Sequence, residues 1–152
     1  MNKLEERIVH HSFLRSLSPD NVQIMLKNAT EKEFKPGEII LKQGEPANRF
    51  FLIDSGRVVI EAGKSDGKTV QTLDAGDVLG WSWLFPPFSW HFTARALTPT
   101  KCTVLDGGHL LVTAEENHEF GYELMRLVAQ IGIERLQATR EKMLKISAAN
   151  RK

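Results

Sequence analysis

The spacing of apolar positions changes twice along the chain. Leu4, Ile8, Phe13, Leu14 and Leu17 recur as on a helix, and Ser18-Pro19 reads as an N-cap before a proline at the first helical position. Val22, Met25 and Leu26 then supply the buried stripe of a second short helix. From Phe34 to Leu105 the apolar runs become short and strand-like: 38–41, 50–53, 58–60, 70–73, 92–96 and 102–105, separated by glycine-containing turns. Strands this short and evenly spaced predict a β barrel or jelly roll. Asp106 reads as a helix cap, and from about His118 to Ile146 the chain runs without proline. The expected organisation is one domain, mainly β with flanking α: helices over 1–33, a β roll over 34–105, and helices over 106–147.

The last helix has two apolar stripes. Leu124, Leu127, Val128 and Ile131 are expected to pack on the chain's own β roll. Met125, Ala129, Gly132, Leu136, Thr139, Met143 and Ile146 alternate spacings of four and three, which is a heptad seam. A helix of about 28 residues is about 42 Å long and overshoots a small barrel. The expectation is a homodimer through this seam, with Ala129 and Gly132 permitting close approach.

The aromatic residues are concentrated in one place. Trp81, Trp83 and Trp90, with Phe85, Phe88 and Phe92, follow directly on Gly76-Asp77-Val78-Leu79-Gly80. The segment contains no Glu, and its basic groups are His91 and, beyond it, Arg95, so a pocket here would meet its ligand mainly with aromatic faces. Gly37, Gly44, Gly56, Gly76 and Gly80 each fall where one β run gives way to the next, the positions at which turns demand positive φ. Glu45, Asp54 and Arg57 read as solvated surface charges, with a turn-stabilising ion pair as the alternative.

Composition narrows the function. Twenty basic against nineteen acidic residues give a formal charge of +1, too little to hold a polyanion, so nucleic acid is not an expected partner, and no window reaches the roughly 18 apolar residues of a membrane span, so neither is a membrane. The lone Cys102 allows no internal disulfide and suits the reducing cytoplasm. His10, His11, His91, His109 and His118 lack metal-ligand spacing, no phosphate-binding or dinucleotide fingerprint is present, and Asp74, Asp77 and Asp106 read as turn and cap residues. No enzyme is expected.

Phe34-Lys35-Pro36-Gly37-Glu38, Gln43-Gly44-Glu45-Pro46-Ala47, Phe51 to Val58 and Gly76 to Gly80 resemble, in order and spacing, the strand-and-turn motifs of the cyclic-nucleotide-binding domain. The similarity is to the sensor half of bacterial catabolite-activator and fumarate-nitrate-type (Crp/Fnr-type) regulators. It implies a jelly roll, or double-stranded β-helix, with N-terminal helices and a long C-terminal dimerisation helix. It also implies a phosphate-binding cassette beginning at Gly80, with a ribose-gripping Glu and a phosphate-pairing Arg. Those two positions hold Trp81 and Trp90, and the neighbouring hydroxyl position holds His91. An indole offers one N–H where a guanidinium offers a charge-assisted fork. Pro86-Pro87 takes away backbone donors that would face an anion. Thr139 matches the helix position that reaches toward the base across the family's dimer.

The candidate pocket is therefore Gly80, Trp81, Ser82, Trp83, Trp90, His91, Arg95 and Thr139. The expected function is a sensory or regulatory module that does not hold cyclic AMP or cyclic GMP in the usual way. One alternative is cyclic-nucleotide binding through His91, Arg95 and backbone donors; another is an interaction module whose aromatic segment is core or docks a partner protein. No cofactor is assigned, and haem at His91 is a minor alternative taken from relatives that hold it. After Ile146 too little sequence follows for the helix-turn-helix of the DNA-binding relatives, so no DNA-binding domain is expected.

Overall fold

Ser18 Oγ accepts the Asn21 backbone N–H at 3.3 Å and Pro19 opens α1 (Pro19–Leu26), as the Ser-Pro pair predicts. The computed structural model describes residues 14, 17–62 and 68–150. The earlier helical pattern of Leu4, Ile8 and Phe13, with His10 and His11, lies outside the described residues. Leu14, Leu17, Val22, Met25 and Leu26 are buried in the core, and Asn21 donates to the Glu123 carboxylate, tying α1 to the last helix.

Among the described residues eight strands follow: β1 (Thr30–Phe34), β2 (Ile39–Leu41), β3 (Arg49–Ser55), β4 (Arg57–Ala62), β5 (Lys68–Asp74), β6 (Val78–Leu79), β7 (Thr93–Ala96) and β8 (Thr100–Asp106). They form two four-stranded antiparallel sheets, β1-β8-β3-β6 and β2-β7-β4-β5, the two halves of the jelly roll. The expected helical region ended at 33, but the chain is already in a strand from Thr30. That strand, Thr-Glu-Lys-Glu-Phe, buries only Phe34 and lies at a sheet edge. Charged edge strands of this kind discourage edge-to-edge association and carry no apolar alternation to betray them.

Phe50, Phe51, Leu52 and Ile53, all at most 2% exposed, run through the centre of the first sheet and are buried on both faces, hence their unbroken apolar run. All five turn glycines named above have positive φ. At Gly56 the requirement is also spatial, since a Cβ would lie 2.5 Å from the Pro99 carbonyl oxygen and 2.5 Å from Thr100 Oγ1. Gly56 lies where the chain passes from β3 in one sheet to β4 in the other. Pro99 lies where it returns from β7 to β8. The two crossings are cross-linked: the Leu97 N–H donates to the Arg57 carbonyl at 2.8 Å, and the Arg57 N–H to Thr98 Oγ1 at 2.9 Å. Arg57 also forms an exposed ion pair with Asp74 at 2.8 Å, while Asp54 accepts from Thr103 Oγ1, so of the three charges read as solvated these two have partners.

Asp106 accepts the His109 N–H and begins α2 (Gly107–Glu116), and Asn117 accepts the Phe120 N–H and begins α3 (His118–Ala149). At 32 residues α3 is about 48 Å long. Phe120, Leu124, Leu127 and Val128 are buried against the roll and Ile131 partly so, as the first stripe predicts. On the other stripe Met125, Leu136, Met143 and Ile146 are 38–65% exposed. No described helix is long and apolar enough to cross a membrane.

Candidate functional site

β6 pairs with β3 through Leu79 opposite Phe51 and Val78 opposite Leu52, and delivers Gly80 at φ +86. A Cβ on Gly80 would stand 3.0 Å from Cη2 and Cζ3 of Trp90 and 3.3 Å from the Arg49 carbonyl oxygen. The Trp90 ring, 5% exposed, therefore lies directly over the residue that begins the cassette. Ser82–Leu84 form one turn of 3-10 helix, with the Leu84 N–H donating to Trp81 O at 3.1 Å. A helical turn thus forms at the front of the cassette, ahead of the two prolines. Ser82 is buried in this turn, and Trp83, 2% exposed, packs against Phe50 with ring centroids 5.6 Å apart and against Gly107 at the start of α2. The Trp83 Nε1–H has no hydrogen-bond partner among the described residues.

The return leg is held by backbone. The Pro86–Pro87 bond is cis, Phe88 has φ +55, and its N–H closes a turn on Phe85 O at 2.9 Å. Phe85 and Phe88 are 56% and 41% exposed at this corner. The Ala47 N–H then donates to Phe88 O, the Trp90 N–H to Glu45 O, and the Gly44 N–H to Trp90 O. These three bonds run the cassette alongside 44–47 and fix the backbone from which Trp90 enters the core.

The charged groups are placed differently from the expectation. Arg95 alternates with the buried Ala94 and Ala96 on β7, so it stands on the opposite face of the strand from the core. Its Nε–H donates to Glu61 Oε1 at 2.7 Å and its Nη1–H to the Gly37 carbonyl at 2.8 Å. Arg95 is thus engaged by Glu61 and the turn between β1 and β2. His91 is exposed. Thr139 is exposed on α3 and its hydroxyl donates to the Arg135 carbonyl at 2.9 Å, the local bond a helical threonine makes.

A cation that sequence reading misses is present. Arg135 of α3 sets its guanidinium over the half-buried Trp81 ring, 4.5 Å from the centroid, and donates to the Val78 carbonyl. Burial pulls its pKa below the ordinary arginine value, and Asp77 opposes that shift. Its signal in the sequence is its spacing: Arg135 continues the barrel-facing series Leu124, Val128, Ile131.

Gly80, Trp81, Ser82, Trp83 and Trp90 are thus brought together, while His91, Arg95 and Thr139 stand apart. Trp83 and Trp90 belong to the hydrophobic core and Trp81 packs partly against it. No group of three or more His, Cys, Asp or Glu side chains gathers in metal-binding array among the described residues. A separate polar groove of about 410 Å³ opens between Asn28, Thr30, Lys32, Asn48, Arg49 and Asp106 and includes no cassette residue.

Comparison with known proteins agrees with the jelly-roll fold. The family profile described as Cyclic nucleotide-binding domain matches residues 31–117. A CRP-like cAMP-activated global transcriptional regulator of Mycobacterium tuberculosis is 22% identical over 129 residues, 84% of this chain and 58% of that protein's length. The cAMP-dependent protein kinase regulatory subunit of Dictyostelium discoideum is 30% identical over 114 residues, 68% of this chain and 35% of its own. The chain thus spans little more than half, or less, of these relatives. Among solved structures, a provisionally assigned cyclic nucleotide-binding protein from Geobacter metallireducens is 28% identical with a TM-score of 0.80, covering 90% of this chain and 99% of the other. The sensor domain of the regulator DNR from Pseudomonas aeruginosa shares the fold, with a TM-score of 0.68 at 20% identity over 88% of this chain and 91% of the other.

Proposed function

Because the chain belongs to the cyclic nucleotide-binding domain family, we propose that it is a non-enzymatic sensory or regulatory module of the cytoplasm whose cassette does not take cyclic AMP or cyclic GMP in the family's usual way. The observation that carries this reading is Trp90. At the position where the resemblance calls for a phosphate-pairing arginine, a buried indole lies on Gly80, the residue that starts the cassette. A phosphate monoanion placed there would lose its hydration and gain no paired cation, a penalty of several kcal/mol. Arg95 does not offset it, since its Nε–H and one Nη1–H are held by Glu61 and the Gly37 carbonyl, and it alternates with the core-facing Ala94 and Ala96 on β7.

The regulatory output runs through α3. Its apolar stripe beyond the roll, with Leu136, Met143 and Ile146 exposed, supports association with a second copy along the heptad seam. A second reading, docking of a partner protein on the cassette itself, is favoured by the exposure of Phe85 and Phe88 at the Pro86–Pro87 corner.

Calorimetric titration with cyclic AMP and cyclic GMP tests the proposal. Dissociation constants no tighter than about 100 μM are expected, near −5.5 kcal/mol; micromolar binding of either nucleotide would overturn it.

A further inference from the structure

The polar groove beside α2 gathers side chains that neither the core nor the cassette uses. Asn28 reaches it from the exit of α1, Thr30 and Lys32 from β1, Asn48 and Arg49 from the start of β3, and Asp106 from the end of β8. Its volume of about 410 Å³ falls within the roughly 300–1,000 Å³ of small-molecule sites. Backbone places both asparagines. Asn28 holds φ +67 where the chain leaves α1, and the Asn48 carbonyl accepts the Gly107 N–H at 3.0 Å. Arg49 and Asp106 stand directly opposite each other in the β3–β8 register, the placement in which opposite charges usually meet. Yet no ion pair joins them among the described residues. The Asp106 carboxylate instead accepts the His109 N–H at 3.1 Å and caps α2. Lys32 sets its ammonium 5.2 Å from the Phe34 ring centroid and likewise has no carboxylate partner among the described residues. Two exposed cations therefore face one groove with no anion between them to neutralise either.

We propose that this groove is a second binding site, separate from the cassette, for a small phosphate monoester whose organic part carries hydroxyl groups. Charge and acceptor count favour phosphoryl over carboxylate. A carboxylate brings one charge and two oxygens, whereas a phosphoryl group near neutral pH brings close to two charges and three strong acceptor oxygens. Arg49 and Lys32 match the charges, the guanidinium as a fork and the ammonium as a point donor. The Asn28 and Asn48 amides and the Thr30 hydroxyl supply neutral donors for what remains. Asp106 fixes the other end of the ligand. Its carboxylate repels a second anionic group and accepts from a hydroxyl, which selects a sugar-like or glycerol-like tail.

Titration of the whole chain with inorganic phosphate and with glycerol phosphate, followed by the backbone amide resonances, tests the site. Sodium chloride at matched ionic strength is the reference, because exposed charges are screened by any salt. Both phosphates should shift the amides of 28–32, 48–49 and 104–106 saturably, with half-saturation at about 1–10 mM, and glycerol phosphate should bind at least as tightly as inorganic phosphate. Arg49→Met and Lys32→Met should each weaken binding by about tenfold or more, the usual scale for losing a hydrogen bond to a charged group. Lys101→Met removes the same charge from the same sheet, where Lys101 pairs with Glu33, and should leave the titration unchanged. Shifts that do not saturate, that chloride reproduces, or that Lys101→Met diminishes as much as Arg49→Met does would overturn the proposal. Glycerol phosphate binding tenfold more weakly than inorganic phosphate would overturn the monoester assignment. Arg49 and Lys32 are both exposed, so their variants should fold; should circular dichroism show that one does not, the other decides. The groove shares no residue with the cassette, so tight cyclic-nucleotide binding would overturn the reading of the cassette and leave this site standing, and an absent phosphate response would do the reverse.

Discussion

Trp81, Trp83 and Trp90 are one residue type in three surroundings: a half-exposed ring under a guanidinium, a core ring on Phe50, and a core ring on Gly80. Trp90→Ala should cost about 3–5 kcal/mol, as truncating a buried aromatic does. Trp81→Ala should cost about 1–2 kcal/mol, mostly its cation–π contact and partial packing. Urea unfolding of the two variants checks this, and equal losses would contradict the difference in burial. Cys102 offers a second check. Burial, and then the Asp54 carboxylate, push its thiol up to about 12 from 9.0. The folded chain therefore keeps its proton where the unfolded chain releases it, and this group's contribution to stability is intact below pH 9 and declines from pH 9 toward 12. Iodoacetamide at pH 9 should leave the native thiol unmodified and alkylate it readily in denaturant; fast native alkylation would refute the burial. At this scale the turn glycines were legible because positive φ restricts residue choice so sharply. The depth of each tryptophan was not, because an indole's sequence is the same in a core or at a rim. Nor was the Arg135–Trp81 contact, which joins residues on elements far apart in the chain.

Among the elements, the strands with apolar runs and the capped helices were readable, and the two that escaped had no such pattern. β1 is a charged edge strand, and β6 is two residues buried inside a turn motif. α3 was readable as two stripes, of which one is buried and the other largely exposed among the described residues. Gly132 gives a clean test of the other. A Cβ there meets nothing within 4 Å, so Gly132→Leu should not hurt the monomer and should favour the helix by about 0.8–1 kcal/mol of propensity. In a close helix pair the same leucine overpacks the seam, at a typical cost of about 1–3 kcal/mol. Light scattering should report a dimer for the unmodified protein and a weakened one for the variant, with unchanged circular dichroism. A monomer at high micromolar concentration in the unmodified protein would remove the seam from the account.

At the scale of the whole molecule, the roll and its helices were legible from motif order, whereas the cassette was legible only as a set of substitutions whose outcome depends on three-dimensional packing. Replacing those substitutions asks whether they alone close the site. Trp81→Glu combined with Trp90→Arg should raise cyclic-nucleotide affinity at least about tenfold in the titration, about 1.4 kcal/mol, provided the fold survives by circular dichroism. A folded double variant with no gain would locate the obstruction in the Pro86–Pro87 corner instead. How such a change would be felt elsewhere depends on the paired crossings at Gly56. Those crossings fasten the two sheets to each other at one end of β3, whereas at the opposite end Arg49 pairs with Asp106 within its own sheet and its carbonyl faces Gly80 and the Trp90 ring. The roll accordingly has a heel and a mouth. With the heel riveted, bulk added beside Gly80 has to be taken up at the mouth, where the Trp90 ring already stands 3.0 Å from the place a Cβ would occupy.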